Sequence, residues 1–428
     1  MSKKFEQKMV QSKIVNVKSF PLMKYSLIQG VGAELIPTVK VGDKVQVGSV
    51  IAKPKEGFLG CNLHSSVSGE VVKIIKEELD KDMSGEVIYI QNDEQNTMKQ
   101  PLKALENITK ESVCARLEEC GVIGMGGGGF PLSTKIETFL QKGDKTNKYI
   151  FINGASSDGL YSADLAVMRE CYSKILRGIE ILRQVTNVDR IVLVIRKGTR
   201  QYIEDLSNAI DGLTYAYIYE LPNKICIGDE RIIAKCVLGI DMAKEDALVD
   251  YGHMCTNVQT VCALVDAVDY GLPVTSRVIS CAGGALKTPC NALVKIGSIY
   301  DDVITEIGGE KFPLKQYEEL EESAKNSYMA YLSLRDEFND DETDEDVKKD
   351  MVEARKKSNS DILEFLKAEK LYSGILLNSR ICGGYLSGIK KDSFEFPITK
   401  TTLAINLLTK KEEKKREMLL KKFLKKTN

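Results

Sequence analysis

The residues with the clearest chemical use are the run Gly121-Val122-Ile123-Gly124-Met125-Gly126-Gly127-Gly128-Gly129-Phe130-Pro131 and Lys135, four positions beyond its end. Five glycines fall within the six positions 124–129. Such a stretch costs too much backbone entropy to be a core element. What glycine offers in return is close approach of main-chain N–H groups to an anion. A lysine nearby adds a full positive charge, so the chemistry is phosphate binding.

The elements that must position this loop are legible on both sides. Lys110 to Cys120 has the amphipathic pattern of a helix that stops at Gly121. Thr134-Lys135-Ile136-Glu137 has capping-box form and predicts the start of a second helix. The loop then feeds a helix N-terminus, whose free N–H groups and dipole favour a phosphate. Gly124, Gly126 and Gly129 satisfy G-x-G-x-x-G, yet that fingerprint should follow a strand. Here a helix precedes the loop, and the apolar run Tyr149 to Asn153 follows it. No Gly-Lys-Ser/Thr is present, so the P-loop pattern fails. A flexible linker is the plain alternative, against which Gly-Phe-Pro and the cap speak.

A chain of 428 residues has room for two to four domains. The net charge of −1 gives no bulk attraction to nucleic acid or membrane. The first residues are polar and lysine-rich, and no apolar run approaches the ~20 residues of a membrane span; a cytoplasmic protein is expected. The eleven cysteines are scattered and odd in number, as expected of free thiols in a reducing compartment. No two stand as C-x-x-C, and only two histidines are present. No iron–sulfur cluster or other metal site is expected.

Residues 20–95 alternate short strands with Gly-Asp and Ser-Gly turns, predicting a small β domain. It resembles the barrels of biotinyl and lipoyl carriers, but His64-Ser65-Ser66 offers no carrier lysine. Residues 105–272 alternate strand and helix, with strands at Tyr149–Asn153, Arg190–Ile195 and Tyr215–Leu221 and helices at Ala163–Val185 and Gln201–Ile210. That order predicts an α/β sheet with ligands at strand ends. Residues 275–313 return to β, and 371–405 are expected to rejoin them. Between them 314–370 is charged and helix-prone, predicting a helical hairpin with a disordered tip. The segment 406–428 reads as a basic terminal helix; over 410–428 its lysines suit an acidic partner or an anionic membrane surface.

At this level the residues resemble a family. The loop with Lys135 is similar to the G-x-G-G-x-G-F-P-x-x-x-K loop of the flavin- and NADH-binding subunits of respiratory complex I and of the C subunit of the Rnf electron-transport complex. Ile152-Asn153-Gly154-Ala155, Gly228-Asp229-Glu230-Arg231, Asn257-Val258-Gln259-Thr260 and Cys281 to Gly297 resemble further landmarks in the family's order. The resemblance implies an α/β multidomain protein. A barrel-sandwich hybrid would come first, then a Rossmann-like flavin/NADH domain, then a β-grasp domain of the soluble-ligand-binding type with a helical insertion.

The resemblance places an FMN phosphate on Gly124, Gly126, Gly127 and Gly129 with Lys135. It puts the isoalloxazine near Asn153, Asn257 and Thr260, and gives Asp158, Gly228, Asp229 and Glu230 to NADH. Phe130 would stack on a ring of the nucleotide. Two departures stand out. Ser156-Ser157-Asp158-Gly159 replaces the family's Glu-Cys-Glu-Pro, and no ferredoxin-type cysteine run follows the β-grasp segment. Electrons would then leave by another route, with Cys255 as a candidate thiol relay and Cys262 a turn or two further along. A cluster-free relative is similar to the electron-transfer protein associated with D-proline reductase in amino-acid-fermenting anaerobes. The implied function is NADH oxidation on FMN with transfer to a partner reductase. The alternative is a redox-inactive docking subunit; a cobalamin-reducing relative ranks below both.

Overall fold

The computed structural model describes residues 11–80, 83–142, 148–155, 161–222, 227–243, 245–310, 314–340, 345–371, 375–380, 385–389, 398–400, 402, 404–407 and 418. They fall into two compact units, one comprising 1–282, 289–307 and 376–406 and the other 283–288, 308–375 and 407–428.

The first unit opens with two small sheets. One orders Leu22–Ser26, Met83–Asn92, Gly69–Asp80 and Lys44–Val45; the other orders Ile36–Pro37, Val50–Lys53 and Leu63–His64. Their inward residues Met23, Ile51, Leu63, Val71, Ile88 and Ile90 are fully buried, as period-two alternation requires of a sandwich. Tyr25 is buried among them and shares a 2.8 Å hydrogen bond with the Ser66 hydroxyl.

The central sheet is parallel throughout, in the order Ala216–Leu221, Arg190–Arg196, Tyr149–Asn153, His253–Asn257. Helices cover it, so its strands are continuous apolar runs rather than alternating ones; Ile150, Phe151, Ile152 and Ile191 to Ile195 are almost wholly buried. The chain builds outward from Tyr149–Asn153 in one direction, then returns to its other side with His253–Asn257. Strand order therefore reverses between these two strands, and their carboxyl ends Asn153 and Asn257 are register partners. A crevice for ligands belongs at this point of the sheet.

Two expected elements differ. The helix foreseen over Ala163–Val185 is two helices, Ala163–Glu170 and Tyr172–Thr186, broken at Cys171. The halves answer to different neighbours. The first takes the Ser280 hydroxyl on the N–H groups of Ser162 and Ala163, each at 2.9 Å. The second is tied to the Val258–Tyr270 helix by Lys174–Asp266 at 2.6 Å and Arg177–Asp269 at 2.8 Å. The helix foreseen at Gln201–Ile210 is a 3-10 turn, Arg200–Tyr202, followed by Glu204–Asp211.

A six-stranded sheet orders Ile14–Asn16, Cys290–Lys295, Ser276–Ala282, Ala404–Leu407, Ile375–Arg380 and Tyr385–Ile389. It joins strands from the segments 275–313 and 371–407 and adds Ile14–Asn16 from the other end of the chain, parallel to Cys290–Lys295. In the second unit, Leu314–Asp340 and Glu345–Leu371 form a helical hairpin, with Ala324, Ser327 and Ser358 buried. Its tip, 341–344, and all of 410–428 except Met418 lie outside the described residues. Among the described residues no helix is long and apolar enough to cross a membrane.

Candidate functional site

The glycine run leaves the Lys110–Glu119 helix at Gly121, whose φ of +71° suits a residue without a Cβ. The loop then closes on itself. Gly124 N–H donates to the Phe130 carbonyl at 2.8 Å and Gly129 N–H to the Gly124 carbonyl at 3.0 Å. Gly127, at φ +102°, makes the turn between them. No described residue accepts from the N–H groups of Gly126, Gly127 or Gly128. Three adjacent unpaired donors on a closed loop make an anion nest.

The second helix begins at Leu132 with Pro131 in the cap position and no side-chain cap. The capping box expected at Thr134 to Glu137 does not form, because the helix starts two residues earlier and Thr134 lies inside its first turn. Leu132 N–H donates to the Val122 carbonyl at 3.2 Å, and no side chain caps the terminus that follows the nest.

The loop is held rigidly from beneath. Met125 N–H donates to the Thr260 hydroxyl at 2.8 Å, and the Met125 carbonyl accepts from Arg277 Nη2 at 3.0 Å. Thr260 is fully buried and Arg277 only 2 % exposed. A Cβ on Gly126 would meet the Asn257 Cβ at 3.2 Å, so the loop lies against the end of the His253–Asn257 strand. Asn257 caps the Val258–Tyr270 helix by accepting from Gln259 N–H at 2.9 Å, and donates to Asp164 at 2.6 Å. Asn153 donates to the Gly228 carbonyl at 2.9 Å. The loop, both asparagines, Gly228 and Thr260 thus converge at the reversal point of the sheet.

Three of the expected site residues have partners within the fold. Lys135 reaches toward the sheet. Its Nζ lies 2.8 Å from the Cys255 carbonyl and 3.3 Å from Glu230, linking the loop's helix to the sheet and to the Glu230–Leu238 helix. Asp229 is the cap of that helix, accepting from Arg231 N–H at 2.9 Å, and its side chain is 8 % exposed; Glu230, at 41 %, is the accessible carboxylate. Cys255 is buried, and burial first, with Glu230 beside it, pushes its thiol well above the ordinary range. A relay needs a thiolate, which this setting opposes. Cys262 is likewise raised by burial. Phe130 is half-buried at the loop's end. Asp158 lies outside the described residues.

Sequence reasoning missed the buried polar floor. Asp164 accepts from Tyr161, Gln259 and Asn257 at 2.8, 3.0 and 2.6 Å, and burial raises its carboxyl. Arg277 also donates to the Lys400 carbonyl. Lys400 Nζ donates to the Gly121 carbonyl at 2.7 Å and to the Asn62 carbonyl in the N-terminal β domain at 2.8 Å; burial pushes its ammonium down to about 8. An arginine in an apolar strand, Ser276-Arg277-Val278-Ile279, was the one available signal.

Residues 3–95 match the RnfC barrel sandwich hybrid domain, and residues 117–266 match the Nuo51 FMN-binding domain. The chain thus pairs an RnfC-type N-terminal domain with a Nuo51-type FMN-binding domain. The C subunit of the proton-translocating ferredoxin:NAD(+) oxidoreductase complex of Clostridium ljungdahlii is 32 % identical over 286 residues, 66 % of this chain and 62 % of that protein. The C subunit of the ion-translocating oxidoreductase complex of Rhodobacter capsulatus is 30 % identical over 294 residues, 67 % of this chain and 56 % of that one. Its counterpart in the Na(+)-translocating ferredoxin:NAD(+) oxidoreductase complex of Acetobacterium woodii is 27 % identical over 285 residues, 65 % of this chain and 63 % of that one. The chain therefore spans roughly six-tenths of the length of these curated relatives.

Proposed function

We propose that this chain binds FMN on the Gly124–Gly129 loop, oxidises NADH there, and passes the electrons to a partner reductase without an iron–sulfur cluster of its own. The observation that carries the reading is the set of unpaired N–H groups at Gly126, Gly127 and Gly128, on a loop clamped through Met125 at the reversal point of a parallel sheet. The donor set fits a phosphomonoester: three backbone donors and a helix N-terminus without a side-chain cap supply what a dianion requires. Bound FMN would supply the capacity to accept a hydride from NADH and release its electrons singly or in pairs.

The chain's own residues do the rest. The nest and the Leu132–Gln141 helix terminus hold the phosphate. Glu230, with its carboxylate accessible, reads a ribose diol as acidic residues do in other dinucleotide sites. Lys135 orients that carboxylate. The partner we favour is a soluble thiol- or selenol-dependent enzyme of the D-proline reductase kind, since the sequence has no C-x-x-C pair to carry electrons onward.

The test is a visible spectrum of anaerobically purified protein supplemented with FMN, before and after NADH, with iron measured on the same sample. Flavin bands that NADH bleaches, without iron, are expected. A protein that takes up no FMN overturns the reading. One that takes up FMN but is not reduced by NADH leaves the redox-inactive docking subunit, which the internal engagement of Asp229 and Lys135 favours as the second reading.

A further inference from the structure

Cys281 and Cys290 stand directly opposite each other on the antiparallel strands Ser276–Ala282 and Cys290–Lys295. Directly opposed residues of such strands have Cα atoms about 4.5–5.5 Å apart, within the roughly 4.4–6.8 Å span of a disulfide. Each thiol lies within the electrostatic influence of the other. Both are free thiols, Cys281 fully buried and Cys290 5 % exposed. Cys61 and Cys114 pair instead with backbone carbonyls, those of Val122 and Ser133.

The arrangement separates the two sulfurs by role. The Cys281 thiol beside it draws Cys290 below the ordinary thiol range, while Cys290 first and then burial raise Cys281, which favours the thiolate at Cys290. Cys290 also opens its strand, and at 5 % exposure against 0 % for Cys281 it is the less deeply buried of the two. Ser280, one residue before Cys281, turns its hydroxyl to the Ala163–Glu170 helix, and alternation along the strand directs Cys281 to the opposite face.

We propose that Cys281 and Cys290 are a redox-active dithiol that closes to a cross-strand disulfide by exchange with an external disulfide. Cys290 gives up its proton and its thiolate attacks one sulfur of the external disulfide, forming a mixed disulfide and expelling one thiolate, which takes up that proton. The Cys281 sulfur then attacks the Cys290 sulfur. The bond to the external half breaks, that half leaves as a second thiolate, and the Cys281 proton goes to it. Net, two cysteine thiols are oxidised and one disulfide is reduced to two thiols; an external dithiol runs the sequence backward. The centre holds two electrons without a metal and stands independently of the flavin.

Trypsin cleaves after Arg277, Lys287 and Lys295, giving 278–287 and 288–295 with one cysteine each. Native, full-length protein is equilibrated with glutathione disulfide, quenched in acid, alkylated and digested. The two peptides are expected to appear joined, two hydrogens lighter than their sum, and to separate after dithiothreitol. In Cys290→Ser, peptide 278–287 is expected to be recovered alkylated. Recovery of both peptides alkylated from the native wild type overturns the proposal. So does joining of either to a different cysteine, or joining only in denaturant.

Discussion

Arg277 Nη2 donates to the Met125 carbonyl at 3.0 Å, across 152 positions of sequence. A buried guanidinium shared between a backbone oxygen of the glycine loop and the Lys400 carbonyl is a positioning device. Removing one partner of a buried hydrogen bond leaves the other unsatisfied, at about 1–3 kcal/mol. Arg277→Met is expected to weaken FMN binding about 10- to 100-fold, and Arg277→Lys to restore part of it. Fluorescence titration of apoprotein with FMN checks this. Faster amide exchange at Met125 and Gly126 in the flavin-free variant would locate the effect in the loop.

The Lys135–Glu230 pair is half open to solvent, and such pairs contribute only about 0–1 kcal/mol to folding. Glu230→Gln is therefore expected to leave thermal stability and FMN affinity nearly unchanged. It should raise the NADH concentration needed for half-maximal flavin bleaching about 10-fold. Equal losses in FMN and NADH binding would contradict the division of labour between loop and carboxylate.

Lys400 gives a pH signature. Its ammonium sits at about 8 in the fold, against an ordinary 10.5. Between those values the unfolded chain holds a proton that the folded chain does not, so this group's contribution to stability rises with pH across the window. The rise amounts to up to about 3 kcal/mol. A neutral amine keeps two N–H groups, enough for both Gly121 and Asn62. Denaturant unfolding of wild type and Lys400→Met at pH 7.5 and 10 should show the difference between them shifting in favour of wild type at the higher pH.

His64 gives the opposite limb. It is buried, its Nδ1 has no partner, and burial, then Lys400, hold it down to about 3 against an ordinary 6.5. The unfolded state takes its proton first, so stability falls as pH drops from about 6.5 toward 3, by up to about 5 kcal/mol. His64→Gln removes the titration. It is expected to lose less stability than wild type between pH 7 and pH 4 in urea melts; parallel losses would contradict the assignment.

The strand Tyr149–Asn153 was legible to the residue because a strand covered on both faces must be an apolar run. His253–Asn257 was not, because His-Met-Cys-Thr-Asn has no β-branched run, and its state is set by pairing with Tyr149–Asn153. The glycine loop announced itself through composition. Its floor was far less legible, since Asp164, Arg277 and Lys400 are satisfied largely by partners far away in the chain, and only Arg277 in its apolar strand gives a local sign. The direction of Lys135 was equally invisible. Spacing puts it on the right helix, and only the packed sheet decides that the Cys255 carbonyl takes its Nζ.

The lysine beneath Gly121 comes 279 positions later in the chain. During synthesis at roughly 5–20 residues per second, the glycine loop leaves the ribosome well before Lys400 exists, an interval of tens of seconds. A nascent chain thus carries the loop without its buried cation. The loop's full set of buried partners is consequently completed late in the molecule's birth, and premature termination before Lys400 yields a chain with the loop but without the lysine beneath it.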